Sequence, residues 1–250
     1  MRTADPRWYE SFFDSDDWVM LAVSRTPEQT EREVAFLTDR IAPTARVLDL
    51  ACGTGRIATE LARRGYDVAG LDISHRVLDV ARREAPELDL RQGDMRELPW
   101  PDASFGAVIN IWTAFGYFET QAEDERVLAE VVRVLEPGGR FVLDTVNQTA
   151  LVRGFRPKSW SEEADGVLML EEREYSVFTG RATARWTFVR DGVRSELAFD
   201  HRVYTCPEYV ELLGRAGMRT VEACGDFDGG ELTWDSWRLI LVAEREPERR

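Results

Sequence analysis

Arg46-Val-Leu-Asp-Leu-Ala-Cys-Gly-Thr-Gly-Arg-Ile-Ala-Thr-Glu-Leu-Ala-Arg-Arg64 decides the fold. Its first six residues, through Ala51, read as a buried strand. Arg56 to Arg64 reads as a helix stopped by Gly65. Between them, a glycine loop lets main chain approach a ligand where a helix begins. The alternation continues downstream. Tyr66–Asp72 reads as a second strand, and Ser74 caps a helix that ends near Glu84 and is broken by Pro86. Leu88–Gln92 and Phe105–Ile111 are strands three and four. Thr120–Leu135 has helical spacing at Val127, Leu128, Val131, Val132 and Leu135. Pro137-Gly-Gly139 reads as a turn before a fifth strand, Arg140–Val146. This order predicts a mostly parallel α/β sheet with helices on both faces and right-handed crossovers.

The flanks differ. Val167–Phe178, Arg181–Arg190 and Val193–Tyr204 are β-rich and joined by Thr179-Gly180 and Asp191-Gly192, both hairpin signals. They predict a small antiparallel sheet inserted at about 166–205. A helix at Pro207–Arg215 and strands at Met218–Gly225 and Trp237–Glu244 follow, and Arg245–Arg250 reads as a solvated tail. The first 45 residues suggest two helices. The expected organisation is a helical cap over 1–45, and one domain over 46–250 carrying the insertion.

Composition narrows the function classes. Of 250 residues, 44% are hydrophobic and 31% charged, as in ordinary globular proteins. Acids outnumber bases 46 to 32, for a net charge of -14, which argues against a grip on nucleic-acid phosphates. No apolar run reaches the ~18 residues of a membrane helix. The N-terminal stretch lacks an export signal. Three widely spaced cysteines (Cys52, Cys206, Cys224) suit a reducing cytoplasm. With only His75 and His201, and no Cys/His cluster, no metal site is expected.

The glycine loop also satisfies G-x-G-x-x-A through Gly53, Gly55 and Ala58, and Asp72 lies 19 positions beyond Gly53. A carboxylate there can accept both hydroxyls of a ribose, so a dinucleotide has to be weighed. Asp49 argues against it: an acid beside the loop repels a pyrophosphate and suits a methionyl ammonium. In Gly93-Asp94-Met95, the carboxylate can accept from the adenine amino group and Met95 offers apolar surface to the ring.

Taken together, Asp49-Leu-Ala-Cys-Gly-Thr-Gly55, Leu71-Asp-Ile-Ser74, Gly93-Asp-Met95, Leu98-Pro-Trp-Pro-Asp-Ala-Ser-Phe105 and Leu135-Glu-Pro-Gly-Gly139 resemble the class I, Rossmann-like S-adenosylmethionine-dependent methyltransferases. The resemblance covers roughly 40–147, with the motifs in order. Gly106 departs from the aspartate often found after that phenylalanine. The resemblance implies a seven-stranded sheet whose last strand is antiparallel. It implies S-adenosylmethionine as cofactor and no metal. By position, Asp49, Ala51, Gly53 and Gly55 would hold the methionine part, Asp72 the ribose, and Ile73, Asp94 and Met95 the adenine. Asn110 and Ile111 would lie beneath the sulfonium, and Tyr9 would close over the cofactor.

Trp112-Thr-Ala-Phe-Gly-Tyr-Phe118 follows strand four, where ligands sit in open α/β sheets. Trp112, Phe115 and Tyr117, with Tyr204, are candidate substrate residues. The stretch resembles one in methyltransferases acting on small natural products and sugar amines. His201, on an apolar strand face with Leu197 and Phe199, is the candidate general base near neutrality. Tyr175 and Asp144 are weaker candidates. The expected reaction is methyl transfer to an O, N or C atom of a small molecule, with no nucleic acid or membrane as partner. The inserted sheet would cap the pocket or make a homodimer interface. Two alternatives remain at this point: an NAD-dependent oxidoreductase, and a non-catalytic S-adenosylmethionine-binding protein.

Overall fold

Two-sided burial governs the centre of the molecule. The computed structural model describes residues 5–163 and 166–247. Three helices lead in: α1 (Trp8–Phe12), α2 (Asp16–Val23) and α3 (Pro27–Thr38). Alternating strands and helices follow: β1 (Arg46–Leu50), α4 (Arg56–Arg63), β2 (Asp67–Asp72), α5 (His75–Glu84), β3 (Asp89–Gln92), β4 (Phe105–Asn110), α6 (Gln121–Val134), β5 (Leu135–Val146) and α7 (Gln148–Arg153). The inserted strands are β6 (Lys158–Glu162), β7 (Leu168–Ser176), β8 (Arg181–Arg190) and β9 (Val193–Arg202). α8 (Cys206–Arg215), β10 (Met218–Cys224) and β11 (Arg238–Arg245) complete the chain.

The main sheet has seven strands in the order β10-β11-β5-β4-β1-β2-β3. β1 to β5 run parallel, and β11 is antiparallel to both of its neighbours. Leu48 and Leu50 pack with Val127, Leu128, Val131 and Leu212 on one face. Val47, Ile109 and Val142 pack with Val34, Leu37, Ile57 and Leu61 on the other. Strands apolar on both sides need this double cover. The chain runs outward from β1 to β2 and β3, then returns to β4 on the other side, which puts a crevice at the carboxyl ends of β1 and β4.

Several expectations need correction. The N-terminal region makes three helices: the Ser15 hydroxyl caps α2 by accepting from the Trp18 N–H, and Thr26 starts α3 through a capping box with Gln29. The inserted sheet has four strands, β6-β7-β8-β9, and begins at Lys158. α7 was not foreseen. Pro137-Gly-Gly139 lies inside β5 as a bulge, with Phe105 opposite Leu135 and Ala107 already opposite Arg140. Arg245 belongs to β11. The rest of the expected tail, beyond 247, and residues 1–4 lie outside the described residues. The inserted sheet meets α1 through Phe12, whose ring centroid lies 5.7 Å from Phe199 and 5.6 Å from Trp186. Together they roof the crevice.

Candidate active site

Past Leu50 the chain turns sharply, with φ of 62° at Ala51 and 55° at Gly53. Past β4 it turns again, with 66° at Trp112 and 62° at Thr113. Left-handed backbone is costly outside glycine and tends to persist where the surroundings enforce it, often at functional sites. Here Asp144, fully buried in β5, does the enforcing: its carboxylate accepts from the Trp112 N–H at 2.8 Å and its carbonyl from the Thr113 N–H at 3.0 Å. Arg238 neutralises that carboxylate. Ala51, Gly53, Trp112 and Thr113 all line one cavity of about 540 Å³, within the range of small-molecule sites.

Asp49 and Asp72 reach this cavity from the ends of β1 and β2 and are 3% and 7% exposed. The two oxygens of Asp72 accept from the Gly53 N–H at 2.8 Å and the Ser74 N–H at 2.9 Å, tying the glycine loop to the second strand. Neither aspartate has an ion-pair partner among the described residues. Burial pushes Asp49 up to about 7, against the charge of Arg56 and with help from Asp72. It pushes Asp72 up to about 6, against three backbone N–H groups. A cation or a set of hydroxyls would relieve both.

The adenine end of the expected site is also assembled. Ile73, Asp94 and Met95 line the cavity. Asp94 is held by Arg96, whose Nη2 lies 2.6 Å away and which also donates to the Tyr9 hydroxyl at 3.2 Å. Burial opposes ionisation of Asp94, but Arg96 prevails and its pKa is lowered. Tyr9, Ile111, Tyr117 and His201 stand on the same wall.

Four expected residues do not. Gly55 turns its back to the cavity: a Cβ there would sit 2.8 Å from the Ala81 Cβ of α5, and its φ is 74°. It serves loop shape and helix packing. Asn110 is buried between strands, donating from Nδ2 to the Leu50 carbonyl at 2.8 Å. Phe115 is core, with its ring centroid 6.1 Å from Tyr204 and 5.9 Å from Tyr209. Tyr204 is equally buried and donates to Asp124 at 2.7 Å.

The expected pKa of His201 is also corrected. The imidazole is 8% exposed and neither ring nitrogen has a partner. Burial, reinforced by Arg181, pushes its pKa down to about 4, so it is neutral at pH 7 and a poor proton acceptor. Cys52 is no nucleophile either: burial and the two aspartates push its thiol well up.

Sequence reasoning missed much of the roof. Phe12, Phe13 and Trp18 come from the N-terminal helices, and Trp186 and Phe199 from the inserted sheet. It also missed three arginines gathered around Trp112: Arg25, Arg56 and Arg238 have their guanidinium carbons 3.8, 5.6 and 5.2 Å from its ring centre. No local pattern marks residues that meet only after folding.

Residues 47–139 match a family model described as a methyltransferase domain. The putative methyltransferase YqeM of Bacillus subtilis is 27% identical over 217 residues, 80% of this chain and 84% of that protein. The dTDP-3-amino-3,4,6-trideoxy-alpha-D-glucopyranose N,N-dimethyltransferase of Streptomyces venezuelae is 33% identical over 131 residues, 52% of this chain and 48% of its own length. In fold, the chain is similar to the CcbJ methyltransferase of Streptomyces caelestis, with a TM-score of 0.84 at 21% identity over 95% of this chain and 99% of that one.

Proposed function

The chain carries a class I, Rossmann-like S-adenosylmethionine-dependent methyltransferase domain, and from that premise we propose that it methylates an O, N or C atom of a small molecule. The observation that carries the reading is the pair of buried, unneutralised carboxylates, Asp49 and Asp72, on one cavity beside a glycine loop. They fit this cofactor. Asp72 has lone pairs left for two ribose hydroxyls, and Asp49 suits an ammonium. Asp94, Met95 and Ile73 would frame the adenine, with Tyr9 against it. When bound, S-adenosylmethionine supplies a methyl group on a sulfonium, with a neutral thioether as leaving group.

The protein's own work is binding, alignment and exclusion of water. The strained turn at Trp112 and Thr113 presents main chain and ring to the cavity. The rings of Phe12, Phe13, Trp18, Trp186 and Phe199 close it from above and offer π-faces to a cation. In this reading, residues 1–45 and the inserted sheet act as the cap. The relative whose name specifies an amino sugar supports a small-molecule acceptor. Free cysteines suit the cytoplasm, and no helix among the described residues is long and apolar enough to cross a membrane. An NAD-dependent oxidoreductase is disfavoured because Asp49 would face a pyrophosphate.

Calorimetric titration is expected to show binding of S-adenosylhomocysteine and none of NAD. Binding of NAD alone would replace this reading by the oxidoreductase. Transfer of label from methyl-labelled S-adenosylmethionine to a screened acceptor separates an enzyme from a mere binder. Once an acceptor is known, His201→Ala should leave the shape of the kcat–pH profile between pH 6 and 8 unchanged and raise KM through lost packing. Disappearance of an inflection near 6.5 in that variant would restore the histidine as base.

A further inference from the structure

Asp49 has an opposite number in the same cavity. Arg25, between α2 and α3, lines it and has no ion-pair or hydrogen-bond partner among the described residues. Its guanidinium is not loose: it stacks on Trp112 at 3.8 Å. Trp112 is itself fixed, donating from its ring nitrogen to Glu33 at 2.8 Å and from its backbone to Asp144. The neighbouring arginines are already spoken for. Arg56 pairs with Glu33 and donates to Thr30, and Arg238 pairs with Asp144. Arg25 alone faces the cavity with its charge uncompensated, in a place where burial and the charges of Arg56 and Arg238 both work against it. A second atom points the same way: Nη2 of Arg56, another cavity residue, is buried without a partner.

One cavity thus holds a carboxylate lacking a cation and a guanidinium lacking an anion, and the charge of Arg56 is felt by both. Their complement is a zwitterion. We infer that Arg25, with Nη2 of Arg56, forms a carboxylate subsite for the amino-acid end of the cofactor, whose ammonium faces Asp49. This rests on the cofactor reading above. Stacking on Trp112 holds the guanidinium plane in place, so little side-chain freedom is lost when a carboxylate docks. Trp112 therefore orients this subsite as well as lining the acceptor side.

The test compares two ligands that share adenosine and a thioether and differ at the amino-acid end. S-adenosylhomocysteine has the zwitterion and 5′-methylthioadenosine does not. In calorimetric titrations, R25A should bind S-adenosylhomocysteine roughly 10- to 100-fold more weakly than the wild type, as expected for a charge-assisted contact. The dissociation constant for 5′-methylthioadenosine should be unchanged, with an unaltered circular dichroism spectrum. Unchanged affinity for S-adenosylhomocysteine overturns the subsite and leaves Arg25 to an anionic group of the acceptor. An equal loss for both ligands also overturns it, since the damage would then lie in the roof as a whole. If wild-type protein binds neither ligand, the cofactor reading itself fails.

Discussion

Asp72→Asn is expected to weaken S-adenosylhomocysteine binding by roughly 10²- to 10⁴-fold while the protein stays folded. The size follows from chemistry: the carboxylate would accept from two ribose hydroxyls, and each charge-assisted bond contributes roughly 1.5–3 kcal/mol. Survival of the fold follows from two opposing effects. An amide can accept only one of the N–H groups of Gly53 and Ser74 that now point at Asp72, and it sets a donor against the other. Against that, a 7%-exposed carboxylate whose ionisation is already opposed by burial is removed, which relieves its desolvation cost. Calorimetry and a thermal melt on one sample separate the two quantities. A dissociation constant within threefold of wild type would remove Asp72 from the ribose site. Loss of the melt would instead show that its main task is to hold the glycine loop.

How far the site could be read without coordinates depends on the distance over which each feature is decided. The β1–loop–α4 unit and the acids at 49, 72 and 94 lie in strands buried on both faces, whose apolar runs announce themselves locally. β6 gave no such signal, because its alternating exposed and half-buried residues owe their conformation to pairing with β7. Asn110 and Phe115 flank the right strand end, but side-chain direction there is set by the tight turn at Trp112, and both go into the core. Alternation placed His201 on the same wall as Phe199, as found, yet the burial that sets its pKa depends on rings from α1 and Tyr117 far away in the chain. The aromatic roof joins residues 8–18 to 186–199. Arg25 looks like any polar residue between helices until Trp112 arrives beneath it.

Acidification is expected to stabilise the empty protein and to weaken its hold on cofactor, with Asp49 as the main cause of both. Burial leaves Asp49 at about 7 in the folded state, against about 4 in an unfolded chain. The folded protein therefore binds this proton more readily. The stability it contributes is complete below the unfolded value and is lost as pH rises through about 7. Asp72, at about 6, acts the same way slightly lower. Asp124, at about 7 beside Tyr204, adds to the slope from outside the cavity. His201 opposes them only below about 6.5, where the unfolded chain takes up its proton and the buried ring does not. Between pH 6.5 and 8.5 the empty wild type should melt at progressively lower temperature, and Asp49→Asn should show a shallower slope. Binding runs the other way, because the ammonium needs the ionised carboxylate: affinity for S-adenosylhomocysteine should fall about tenfold per pH unit below 7, then level off above it. In Asp49→Asn that fall should shrink to the part due to Asp72. An affinity independent of pH from 5.5 to 8 in the wild type would mean that no buried acid of this kind meets the ligand. The same carboxylate thus destabilises the empty site at neutral pH and is discharged by the cation it binds, which is the energetic form of a site built for a positively charged ligand.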